Sequence, residues 1–307
     1  MERVRSQGVF LSITSLLIVI MLININLLYS SLCYLNEKRY KNHVLVMTLD
    51  VSSYNFELEL AKFCMEGISD VLRHLPCSSL DASLGEYMSI LERCSRDRLC
   101  PMVEDLLGRF NEHNNVLVHL RRLKVKLIRS SNRKITLPAY VITKSKTIRS
   151  SFYIQLEVHS SFEYGTYIIN KVSHYEFPLW LDVNYAFNAK RDVMKALSYI
   201  SKKVNGSKVS NVSLVKELFE DKIMDIRKRY ESKGVVVIPY VHYYMKKISD
   251  LNSTKKVLLI VILRRIEIKF LHGYIYDARE HKLVEKPLRL MFLGRRVYYI
   301  MLYIFSD

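Results

Sequence analysis

From Ser6 to Asn36 the chain runs for thirty-one residues without a formal charge, and most of them are apolar. A helix needs about 20 mostly apolar residues to cross the hydrocarbon core of a bilayer, so this run is long enough to span. Later hydrophobic stretches are shorter and broken by charges. The pattern predicts one transmembrane anchor over residues 1–36, carrying a domain made of the rest of the chain on one side of the membrane.

A removable secretory signal competes for the same segment. Its apolar region is typically about 7–15 residues and ends in a small-x-small cleavage site. Here the apolar run is longer. Its end, Leu28-Tyr-Ser-Ser-Leu-Cys33, offers no pair of small residues at the two recognition positions, and Leu32 before Cys33 is unlike a lipoprotein signal. A retained anchor fits better. Arg3 and Arg5 precede the run, and Lys38, Arg39 and Lys41 follow it, so basic residues flank both ends and the positive-inside rule gives no orientation. Two features point to a domain outside the cytoplasm. Three N-x-Ser/Thr sequons stand at Asn205, Asn211 and Asn252, as candidate glycosylation sites. Cys64, Cys77, Cys94 and Cys100 cluster, and no cysteine follows them. Four cysteines allow three disulfide pairings, with buried free thiols as the alternative. The absence of C-x-x-C and of nearby paired histidines disfavours zinc.

The segment Arg5-Ser-Gln-Gly-Val-Phe-Leu11 resembles the start of archaeal type IV pilin-like and other class III-signal proteins, in which a short basic leader and a small residue precede a long apolar helix. The resemblance covers residues 1–36 only. It implies cleavage after Ser6 on the cytoplasmic side, leaving Gln7 as the new terminus and the anchor in place. Ser6 departs from the glycine most often found there. Asn24 and Asn26 inside the apolar run suit either helix–helix pairing or the outer headgroup level.

The rest of the chain is half hydrophobic and poor in glycine and proline, a globular profile. Phe56, Leu60, Phe63, Ile68 and Leu72 predict a helix from Phe56 to Leu75. Ser78-Ser-Leu-Asp81 resembles a capping box that opens a second helix to about Cys94, and Pro101 would start a third from Met102 to Phe110. Alternation predicts strands around Leu123–Leu127, Phe152–Val158, Tyr167–Val172 and Leu179–Phe187. Helices follow at Ala189–Val204 and Ser213–Ser232, then strands at Val235–Met245, Val257–Phe270, His272–Asp277 and Arg289–Phe305. The order predicts an α+β fold with a mostly antiparallel sheet, in two helix-then-strand blocks, residues 37–187 and 188–307. The apolar ending Val297–Phe305 is expected as a central strand, with an edge that pairs with another subunit as the alternative.

The formal charge is +17. Asn114 to Gln155 holds no acidic residue, and Arg121, Arg122, Lys124, Lys126, Arg129, Arg133 and Lys134 fall on or beside one predicted strand. Interleaving would aim several of them at one face, a candidate surface for nucleic acid, anionic glycan or lipid headgroups. The competing reading is a solvated basic surface.

Motifs for chemistry are missing: nucleophile elbow, Walker loop, dinucleotide fingerprint and H-E-x-x-H all fail on inspection, and no cofactor is implied. His113 and His119 are spaced wrongly for one helical face. His242 reads as a sheet histidine. Glu217, Glu220 and Asp221 are expected at a helix start, and Asp225 with Arg229 as an i,i+4 surface pair. The expectation is a single-pass, N-in membrane protein with a structural, adhesive or pilin-like assembly role, working through other membrane or surface proteins. A polyanion-binding module is the alternative. A membrane-bound hydrolase or transferase comes third, with no named catalytic residues, so enzyme activity stays open.

Overall fold

The computed structural model describes residues 2–136, 147–179, 182–205, 211–248 and 255–304, with side chains described over a slightly narrower set. The expected anchor and first domain helix are one continuous helix, α1 (Glu2–Arg73). Between Gly8 and Gly67 the sequence holds no glycine or proline, so nothing stops the helix where the charges begin. Glu37 and Lys41, four apart, close an ion pair at 2.7 Å across that junction.

The described side chains from Leu16 to Leu35 are exposed, and this section of α1 is long and apolar enough to cross a membrane. It is compatible with a single membrane anchor or with a signal sequence. Further along, Leu49, Phe56, Leu60, Cys64, Ile68 and Leu72 are buried at helical spacing, so the same helix becomes a core element.

A short strand, β1 (Ser78–Ser79), follows, then α2 (Leu84–His113). The capping box lies one turn later than expected. Ser83 Oγ accepts from the Glu86 amide at 3.2 Å, and Glu86 Oε2 accepts from the Ser83 amide at 2.6 Å. Pro101 lies inside α2 instead of opening a third helix. Leu91, Leu99, Val103, Leu106 and Phe110 keep one buried stripe on both sides of it, so packing outweighs the lost backbone bond. Gly67 of α1 lets α2 close in: a Cβ there would lie 2.8 Å from Leu99 Cδ2.

Three antiparallel strands complete the first half: β2 (Leu117–Thr136), β3 (Thr147–Tyr164) and β4 (Tyr167–Pro178). Leu123, Val125 and Leu127 stand opposite Val158, Leu156 and Ile154 on the face that packs against the helices. Phe56 of α1 meets Phe110 of α2 and Phe162 of β3 edge to face, at 5.2 and 5.8 Å.

Where a strand is expected at Leu179–Phe187, the described residues from Val183 onward are helical. Asp182 Oδ1 accepts from the Asn184 amide at 2.9 Å, and α3 (Val183–Asn205) begins there. Its buried positions, Val183, Ala186, Ala189, Val193, Leu197, Ile200 and Val204, follow helical spacing from the first turn, which outweighs the aromatic strand-like composition. Then come α4 (Val212–Glu231), β5 (Val235–Ile248), β6 (Lys255–Asp277) and β7 (Lys282–Ile304), the last three again an antiparallel meander. The two strands expected at Val257–Phe270 and His272–Asp277 are one, with a register shift between Phe270 and Gly273.

Apart from the two-residue β1, the described order is two helices and three strands, twice over, with a buried core running through both halves. The β1 strand pairs parallel with Phe292 and Leu293 of β7, tying the α1–α2 connection to the second sheet. Among the described residues no strand lies on the outer side of β7 from Val297 onward, so this stretch is an edge and not the expected central strand. The side chain of Asn205 closes part of that edge: its amide donates to Tyr299 O at 3.0 Å, and the Met301 amide donates to its Oδ1 at 2.9 Å.

Candidate functional site

The basic residues singled out in the sequence lie on β2. Arg122, Lys124 and Lys126 share the face turned away from the helices, Arg121 stands at the bulge before them, and Arg129 is exposed just beyond. Arg133 and Lys134 continue the strand, but their side chains lie outside the described residues. The face is not purely basic. Register places His159, Glu157 and Gln155 of β3 beside Arg122, Lys124 and Lys126, and His174 and Glu176 of β4 beyond them. Glu157 lies 2.9 Å from His159 Nε2 and 3.8 Å from Lys124 Nζ. The His159 hydrogen bond, then Lys124 and Arg122, hold its carboxyl below the usual range. Sequence windows miss this compensation because the acids come from neighbouring strands.

A second sheet face carries cations beside exposed tyrosines, with Lys256 Nζ 5.9 Å from the Tyr303 ring centroid. On the side of the β5–β6–β7 sheet turned away from α3, the register sets four rows. They read His242, Ile262, Val297; Tyr244, Ile260, Tyr299; Lys246, Leu258, Met301; and Ile248, Lys256, Tyr303. Tyr244, Tyr299 and Tyr303 are 46%, 58% and 37% exposed. Arg264 reaches the Tyr244 hydroxyl at 3.3 Å, and His242 stacks on the Tyr244 ring at 6.5 Å. No Asp or Glu occurs in 241–248, 256–265 or 295–304. The residues are visible in the sequence as Tyr243-Tyr244 and Lys246-Lys247 on β5, Arg264-Arg265 on β6 and Tyr298-Tyr299 on β7. Only the register brings them onto one surface.

All five cysteines are free thiols. Cys64 on α1 is fully buried, and burial pushes its thiol up; burial also raises Cys100 on α2. Cys77 is exposed after α1, and Cys94 is half-buried on α2. Among the described residues no group of His, Cys, Asp and Glu is placed to hold a metal ion. Of the sequon residues, Asn205 is bonded to the β7 edge, Asn211 caps α4 by accepting from the Ser213 amide at 2.8 Å, and Asn252 lies outside the described residues.

Glu217, Glu220 and Asp221 do not sit at a helix start, because α4 begins at Val212 and its first turn has no acid. Arg229 pairs with Asp192 of α3 at 3.2 Å rather than with Asp225, and the Tyr230 hydroxyl donates to the same carboxylate at 3.0 Å. Burial, with help from Asp192, pushes the Tyr230 phenol up to about 12. An open cleft of about 290 Å³ between α3 and α4 is lined by Asp192, Lys195, Tyr199, Lys222, Asp225 and Arg229.

The second half is locked to the first by Lys190 of α3. Its Nζ donates to Ala82 O at 2.6 Å and stands 4.7 and 5.0 Å from the ring centroids of Phe187 and Phe292. Burial lowers the pKa of this ammonium. Compared with known proteins, the chain matches no family model, no curated protein and no solved structure.

Proposed function

We propose that this chain is a single-pass, N-in membrane protein whose α+β domain stands outside the cytoplasm and serves a structural, adhesive or pilin-like assembly role. The observation that carries the reading is the unbroken α1. Its exposed apolar section needs a non-aqueous environment, and its next turns supply the first buried stripe of the domain. A helix built this way fixes the domain to the bilayer without a flexible linker, an arrangement suited to positioning a surface. The resemblance of residues 1–36 to class III-signal proteins supports the same reading.

The test is protease digestion of a C-terminally tagged full chain in intact cells, alongside alkaline extraction of the membranes. Digestion without membrane disruption, with the chain retained in the membrane pellet, is expected. Protection until disruption would overturn the orientation, and release by alkali would overturn the anchor.

A further inference from the structure

Past its uncharged section, α1 carries a second unpartnered apolar stripe. Tyr40, Val44, Met47, Val51 and Tyr54 are each at least 44% exposed and recur at alternating steps of four and three residues. They lie on the opposite side of α1 from Leu49 and Phe56, which enter the core, so the domain does not cover them. The stripe ends at Tyr54, where the next positions of the repeat, Leu58 and Ala61, are half-buried and buried under the domain. Contiguous exposed apolar surface marks a contact site, and a repeat averaging about 3.5 residues keeps facing one other helix through a left-handed supercoil.

The features of the stripe fit α1 of a second copy. Copies anchored in one membrane share an orientation, so their helices lie parallel and in register. The flanking contacts between the copies are then Asn36 with Lys41, His43 with Thr48 and Asp50 with Asn55, and none sets like charges together. Val44 and Val51 fall at a positions, where β-branched residues favour two strands. The repeat continues unbroken toward the N-terminus through Glu37, Cys33, Ser30, Asn26, Ile23 and Val19. Glu37 is answered by Lys41 at 2.7 Å, the small Ser30 and Cys33 let helices approach, and Asn26 meets the same amide of the other copy inside the apolar section. We propose that α1 pairs with α1 of a second copy in a parallel, two-stranded coiled coil that runs from the membrane to Tyr54. The pairing rests on the reading of α1 as a retained anchor, which sets the copies parallel.

The test is oxidation with copper phenanthroline of membranes carrying the full-length chain, read on a non-reducing gel after an alkaline wash. Cys33 is exposed and lies in the seam, so a disulfide-linked species of twice the chain mass is expected, lost in Cys33→Ser. In a Cys33→Ser, Cys77→Ser background, Val44→Cys and Met47→Cys should link severalfold faster than Val46→Cys, which is as exposed as Val44 but off the seam. Met47→Lys with Val51→Lys should lower Cys33 linking severalfold at an unchanged melting temperature, because neither side chain enters the core. With the chain retained through the wash, absence of linking, equal linking at Val46→Cys, indifference to the lysine pair, or a product of another mass overturns the pairing alone. Release of the chain by the wash overturns the anchor and the pairing with it.

Discussion

Replacing Lys190 by Met keeps most of the buried stem and removes the ammonium, and the structure gives each contribution to the outcome. The hydrogen bond to Ala82 O is charge-assisted, a class that contributes about 1.5–3 kcal/mol. The two ring contacts add about 0.5–1 kcal/mol apiece. Against these stands the desolvation of the charge, whose sign is visible in the lowered pKa. Burial disfavours the charge, but Met cannot donate to Ala82 O at all, and the loss of that bond sets the expectation of a net loss of about 1–2 kcal/mol. For a domain of this size that is a fall of roughly 2–8 °C in melting temperature by circular dichroism. The pH dependence is a second signature. Between the depressed folded pKa and the ordinary 10.5 the unfolded chain binds more protons than the folded one, so the native protein gains stability as pH rises through that window. Lys190→Met lacks the titrating group, so the gap between the two proteins should widen with alkaline pH. A variant that melts at or above the native temperature, or a gap that stays flat, would refute the balance drawn here.

Two other substitutions test local readings. Ser83→Ala should cost about 1 kcal/mol by removing the cap of α2. Ser78→Ala should be neutral or stabilising, because Ser78 Oγ is buried without a hydrogen-bond partner; equal costs in urea denaturation would undo the placement of the helix start. Gly273→Ala would put a Cβ 2.5 Å from Leu288 Cγ and 2.8 Å from Lys286 O, so a loss of about 1–3 kcal/mol is expected in the same assay, and an unchanged midpoint would contradict the close approach of β6 to β7.

The α+β class, the long apolar helix and most strands were legible because alternation and helical periodicity are local signals. What failed was non-local. The break expected between the anchor and Phe56 came from the change in composition at Glu37, yet no residue there terminates a helix. Pro101 reads as a helix start because its cost is local, while the stripe from Leu91 to Phe110 that overrides it is tertiary. The segment Leu179–Phe187 reads as a strand by its aromatics, and only the burial at Val183 and Ala186 shows why the chain is helical from Val183. The candidate surface moved for the same reason. A basic run is visible in sequence, but Glu157 and Glu176 meet it from other strands, whereas Tyr244 and Tyr299 lie fifty-five residues apart and become neighbours across Ile260 only through register.

The unbroken α1 also makes the molecule a lever. From Asn36 to Arg73 the helix extends about 55 Å, at 1.5 Å per residue. With α1 anchored as proposed, a change of about 10° in its tilt would sweep the helix end through roughly 10 Å. A mismatch between the apolar length and the bilayer thickness that altered the tilt would then appear as displacement at the helix end that holds β6 through Ser69 and Tyr276.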